Sequence, residues 1–131
     1  MELRVDLEDF DGEKGWANYD LFHIEDSAGK YRLKIWDYQG NAGDDLSFSN
    51  NAQFSTKDAD HDSYTSGNCA EVHKGAWWYK KCSSSNLNGF QHRGFYERSS
   101  FGYDGIFWTG FRIKNYSLKS TQLSVRPRFH K

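Results

Sequence analysis

Three aspartates alternate in the run FSTKDADHD at 54–62: Asp58, Asp60 and Asp62. Carboxylates this close repel one another unless they are well solvated or a cation sits among them. Oxygen donors without Cys or His at ligand spacing select a hard cation, and a flexible loop favours Ca²⁺ over octahedral Mg²⁺. The run opens like an EF-hand loop and then departs from it. The sixth position is Ser63 instead of Gly, and the twelfth is Cys69 instead of a bidentate Glu. The residues therefore point to a calcium loop of another kind.

Cys69 and Cys82 follow, bracketing the run Gly75-Ala76-Trp77-Trp78-Tyr79. They allow one intrachain disulfide, two free thiols, or a zinc site that would have to draw on His61 and His73. A disulfide closing so short a loop would add about 3 kcal/mol in the chain-entropy picture. It would also place the protein in an oxidising compartment. No nucleophile motif accompanies the acidic pairs Glu8/Asp9 and Glu25/Asp26, so the sequence does not read as an enzyme.

The elements that must position these residues are read from periodicity. Leu3, Val5 and Leu7 alternate with Glu2, Arg4, Asp6 and Glu8, the pattern of a half-buried strand. Asp11-Gly12 turns the chain into a second strand over 16–24. Ser27-Ala28-Gly29 turns it again into a third, with Tyr31, Leu33 and Ile35 on one face. The expectation is an antiparallel meander. A short helix is expected within 40–50, begun by Asp44 or Asp45. From 51 to 110 Asp, Ser, Asn, Gly and aromatic residues alternate without a period. So many rings argue for an ordered loop region, not a disordered one. Tyr116 and Leu118, then Thr121, Leu123 and Val125, restore alternation and are expected to return to the sheet.

With 131 residues, the chain is expected to form a single domain. Its sheet portion spans 1–50 and 113–127, and its loop-rich, calcium- and ligand-binding portion spans 51–112. The fold class is α+β, mostly β. Aromatic residues make up 18%, which suits large rings packed in short irregular segments. A net charge of −1 gives no field for nucleic acid or an anionic membrane. The basic residues Arg126, Arg128, His130 and Lys131 read as a solvated tail. No apolar run has transmembrane length, and the first residues are not a signal peptide. Asn115-Tyr116-Ser117 is a glycosylation sequon, making Asn115 a candidate acceptor.

LEDFDG (7–12), YRLKI (31–35), GNAGDDL (40–46), FSTKDADHD (54–62), NCA (68–70), GAWWYKKCSSSNLNG (75–89), YDGIFW (103–108) and YSLKSTQLSVRP (116–127) occur in this order. In order and spacing they resemble the fibrinogen C-terminal domain family, which includes ficolin- and tachylectin-like lectins. Nothing in the chain matches the additional N-terminal subdomain those members carry. The resemblance implies a twisted antiparallel sheet and a Cys69–Cys82 disulfide, with a cis peptide before Cys82. It also implies a calcium ion held by the Asp60 and Asp62 side chains and the Tyr64 and Ser66 carbonyls, with Asp58 behind them. The implied ligand pocket is built from His73, Trp78, Cys82, Ser83, Phe101 and Tyr103. Two residues depart from the acetyl-binding members, His73 where Tyr is common and Ser83 where His is.

The function this implies is a secreted, calcium-dependent lectin. It would bind acetylated carbohydrates such as N-acetylglucosamine on microbial surfaces, in innate immune recognition. Weak single pockets would call for several copies, as in a homo-oligomer. The competing expectation is a domain that engages protein or peptide partners without lectin activity, with calcium purely structural.

Overall fold

The protein is described here by a computed structural model, over residues 1–99 and 102–127. Phe101, one of the expected pocket residues, and the basic residues beyond 127 lie outside the described residues. The fold is mostly β, as expected. Strands β1 (Glu2–Glu8), β2 (Lys14–Ile24) and β3 (Leu33–Gly40) form the meander. The strand β8 (Ser120–Arg126) joins them in a four-stranded antiparallel sheet of order β3-β2-β1-β8.

Alternation along β1 aims Leu3, Val5 and Leu7 into the core, where they are buried. The register sets Leu3 opposite Tyr19 on β2 and Val125 on β8. On β3 the buried set is Leu33 and Ile35, and Tyr38 also packs on the core against Tyr19, with ring centroids 5.6 Å apart. Asp37 between them has φ +60°, and this left-handed residue shifts the alternation by one. Trp36, next to buried Ile35, faces the opposite side and is exposed together with its cross-strand partner Leu21.

The third strand begins two residues later than its sequence pattern suggests. Lys30 and Tyr31 both have positive φ. They close a one-turn 3₁₀ helix at Ser27–Gly29, whose N-terminal amides donate to the Asp26 carboxylate. The helix expected within 40–50 is likewise a single 3₁₀ turn, Ser47–Ser49, with Ser47 N–H donating to Asp44 Oδ1 at 3.2 Å.

Among the described residues the remainder contains one helical turn, α1 (Cys69–Val72), and four two-residue strands. These are β4 (Ser85–Asn86) with β6 (Phe107–Trp108), and β5 (Gly94–Phe95) with β7 (Tyr116–Ser117). Tyr116 and Leu118 therefore do not rejoin the main sheet, and the return begins at Ser120. Trp77, Trp78 and Tyr79 are all buried. Trp78 packs toward the sheet against Phe22 and Phe54 and donates its indole N–H to the Tyr31 carbonyl at 2.9 Å. Trp77 donates the other way, to Ser85 Oγ at 3.2 Å. An irregular segment between two covered surfaces can bury consecutive rings, which a strand with one solvent face cannot.

Candidate recognition groove and calcium loop

Asp62 organises the acidic loop. Its Oδ1 accepts from Tyr64 N–H at 2.9 Å, and its Oδ2 accepts from Cys69 N–H at 2.8 Å, at the start of α1. Asp60 Oδ1 accepts from Asp62 N–H at 3.2 Å, which brings the two carboxylates side by side. Burial, together with the neighbouring Asp60 carboxylate, raises the Asp62 pKa above its ordinary value despite the amides that favour ionisation. Asp58 turns away. Thr56 Oγ1 donates to it at 2.6 Å, and that bond holds its pKa below the ordinary value.

The donor set fits a calcium ion: two adjacent, mutually repelling carboxylates in a polar loop, without competing Cys or His ligands. Among the described residues no three acidic, His or Cys side chains converge. An ion here would complete its coordination with backbone carbonyls, such as those of Tyr64 and Ser66, and with water.

Cys69 and Cys82 are joined by a disulfide, and the Lys81–Cys82 peptide is cis. The zinc and free-thiol alternatives are thereby excluded. Asn68 caps α1, accepting from Glu71 N–H at 3.2 Å.

Among the described residues, the side chains expected to wall an acetyl pocket make other contacts. His73 is buried, its ring lying between those of Tyr79 and Phe107. Burial lowers its pKa, and since a carbonyl can only accept, the Nδ1 facing the Tyr103 carbonyl carries the proton. Trp78 is the sheet-facing core ring described above, not a pocket wall. Ser83 is buried, 3.4 Å from Ser49 Oγ, and accepts from Ser85 N–H at 3.2 Å. Cys82 is half-buried in the disulfide. The Tyr103 ring lies under the Arg98 guanidinium, 5.5 Å from its centroid.

An open groove of about 570 Å³ lies alongside, lined by Tyr64, Ser66, Asn68, Val72, Lys74 and Asp104 among others. Asp104 is 5% exposed and holds two basic side chains. His92 Nε2 lies 2.6 Å from Oδ1, and Lys74 Nζ lies 3.0 Å from Oδ2. Burial alone would raise the Asp104 pKa, but these two contacts outweigh it and lower the value. In the sequence Asp104 stands inside the YDGIFW motif with no separate signal, and Lys74 carries none.

Beneath the groove Asn86 is fully buried. Its amide donates to the carbonyls of His73 and Gly105, both at 2.9 Å, while its oxygen accepts from Tyr79 OH. In the sequon, Ser117 is fully buried and its hydroxyl donates to the Phe90 carbonyl at 3.1 Å, while Asn115 is half-buried.

The model of the fibrinogen beta and gamma chains, C-terminal globular domain, matches residues 1–128. The chain belongs to this family. It is 48% identical over 126 residues to human "Angiopoietin-related protein 6", covering 96% of this chain and 26% of that protein. It is 47% identical to the mouse "Angiopoietin-related protein 1", again over 96% of this chain and 25% of that protein. The chain thus spans about a quarter of the length of these curated relatives.

The solved "Fibrinogen-like globe domain of human ANGPTL2" superposes with a TM-score of 0.91 at 46% identity, covering 96% of this chain and 57% of that one. A lamprey fibrin D-dimer, solved in complex with the peptide Gly-His-Arg-Pro-amide, superposes with a TM-score of 0.86 at 32% identity, covering 93% and 44%. Among the described residues no helix is long and apolar enough to cross a membrane.

Proposed function

We propose that this chain is the recognition domain of a secreted protein and engages a polypeptide partner through the Tyr64–Val72–Asp104 groove, without catalysis. The observation that carries the reading is the groove itself. A carboxylate 5% exposed stands at an open cleft of about 570 Å³, while His73, Trp78 and Ser83, expected to cradle an acetyl group, are buried. The Cys69–Cys82 disulfide supports an oxidising, extracellular setting. The peptide bound by the lamprey relative shows a ligand of this class on the same fold.

In this reading Asp60 and Asp62 hold Ca²⁺, aided by the Tyr64 and Ser66 carbonyls. The ion supplies positive charge where two carboxylates otherwise repel, and so favours the ordered loop. Asp62 anchors that loop to Cys69 N–H, and Tyr64 and Ser66 carry it into the groove wall. The ion does not contact the partner.

Calorimetric titration with Gly-His-Arg-Pro-amide and with N-acetylglucosamine, each with calcium and with EDTA, tests the proposal. Peptide binding that weakens in EDTA, with no response to the sugar, is expected. Sugar binding of equal or greater strength would restore the lectin reading.

A further inference from the structure

We infer that the open edge of β8 is a self-association surface, on which a second copy of this chain adds its own β8 antiparallel across a two-fold axis. None of the groove-lining residues belongs to β8, so the two surfaces can be tested separately.

The two outer edges of the sheet are finished differently. Along β3 the edge is closed by residues 50–52. Leu33 N–H donates to the Ala52 carbonyl at 2.9 Å, and Asn51 N–H donates to the Leu33 carbonyl at 2.8 Å. Ile35 N–H donates to Asn50 Oδ1 at 3.0 Å. At the other edge β8 pairs with β1 alone, and among the described residues no strand covers its far side.

The register tells which groups are open. Asp9 N–H donates to the Glu13 carbonyl at 3.0 Å, so the odd-numbered residues of β1 bond toward β2. The even-numbered ones bond toward β8, and Lys119 N–H accordingly donates to the Glu8 carbonyl at 2.9 Å. On β8 the backbone groups of Ser120, Gln122, Ser124 and Arg126 are therefore turned to β1. Those of Thr121, Leu123 and Val125 point off the sheet.

The same three residues carry the core-facing side chains, since they lie opposite Leu7, Val5 and Leu3. On β1 that face is at most 3% exposed, whereas Leu123 is 39% and Val125 50% exposed. The core is uncovered at the one strand whose hydrogen-bonding groups are open. Edge strands that avoid pairing carry proline, lysine or a charge turned inward. β8 has no proline, no lysine and no core-facing charge.

An added strand satisfies both needs, and a second β8 is self-complementary when Leu123 lies on the axis. Leu123 then faces its own copy, and Thr121 faces Val125. Arg126, the one charge of the strand, faces Ser120 and not another cation. In this register the open groups of 121, 123 and 125 meet one another. The two-fold contact closes as a dimer, with four strands from each chain in one sheet that ends at both sides on a closed β3 edge.

The test is sedimentation equilibrium of the calcium-loaded chain over a range of concentrations, with amide hydrogen exchange read by NMR. A mass approaching that of two chains is expected as concentration rises. In the associated form the amides of Thr121, Leu123 and Val125 should exchange slowly, and on dilution quickly, while those of Gln122 and Ser124 stay protected throughout. Leu123→Lys sets two like charges on the axis and should weaken association about tenfold or more. Thr121→Pro removes an outward N–H that β1 does not use and should weaken it too. Urea denaturation checks that both variants fold. Trp36→Ser, on the exposed outer face, should leave association unchanged.

A single-chain mass at every concentration up to about 1 mM overturns the inference. So does association in which the three outward amides exchange no more slowly than in the single chain, association that survives both edge variants, or association lost in Trp36→Ser. If the chain stays single and an added peptide copying Glu2–Glu8 protects those amides instead, the edge belongs to another polypeptide and the second copy is ruled out.

Discussion

The strands of the sheet bury Leu3, Val5, Leu7, Ala17, Tyr19, Leu33 and Ile35, while the loop half buries Ser55, His73, Ser85, Asn86, Asp104 and Ser117 among its rings. In the sheet the backbone satisfies itself through ladders, so side chains need only be apolar and alternate. In the loop half the ladders are two residues long, and the peptide groups between them must find other partners. Asn86 serves the His73 and Gly105 carbonyls. Asp45 accepts from Thr109 Oγ1 and Gly110 N–H, both at 2.6 Å, and Trp108 donates to the Gly43 carbonyl at 2.8 Å. Order that depends on single polar side chains is open to single substitutions. It also leaves the chain free to shape a groove, which a ladder does not.

The sharpest way to break this contrast is Asn86→Leu. It strands two carbonyls and the Tyr79 hydroxyl in the interior, and should cost about 4 kcal/mol in urea denaturation. Val5→Ala, its counterpart in the sheet, should cost about 2 kcal/mol. A smaller loss for Asn86→Leu than for Val5→Ala would erase the distinction. Replacing Cys69 and Cys82 with serine should cost about 3 kcal/mol. Hydrogen exchange should show the loss of protection falling on 51–118 before β1 and β2.

Asp45→Ala removes two long-range bonds and should cost about 2 kcal/mol, read from the same denaturation curves. The smallest effect concerns acid sensitivity. His73 is buried, so its folded pKa lies below the ordinary 6.5, and the unfolded chain takes up the proton first. Its contribution to stability is present above about pH 6.5 and declines as pH falls from there toward the folded value. His73→Gln should flatten the fall in urea midpoint between pH 7.5 and 5.5. An unchanged slope would show that this ring does not titrate on unfolding.

The same contrast explains what could be read from the sequence. β1 and β2 were legible because a two-residue period repeats along them. The start of β3 was not, because Tyr31 fits the alternation yet has φ +58° and belongs to the preceding turn. The third strand also runs on to Gly40 through Asp37, whose left-handed conformation carries no apolar signature.

In the candidate site, the placement of Asp60 beside Asp62 and of Cys69 against Cys82 was legible from short spacings. The inward direction of His73, Trp78 and Ser83 is set by packing from distant segments, namely Phe107, Phe22 and Ser49, which short spacings do not show. The meeting of Lys74, His92 and Asp104 comes from three separate loops and leaves no periodic trace.

The most direct test of the central claim is a map of backbone amide shifts in the calcium-loaded chain, titrated with Gly-His-Arg-Pro-amide and separately with N-acetylglucosamine. Groove recognition of polypeptide predicts saturable shifts at Val72, Lys74 and Asp104 with the peptide and none there with the sugar. Saturable shifts at those residues with the sugar, and none with the peptide, would contradict it.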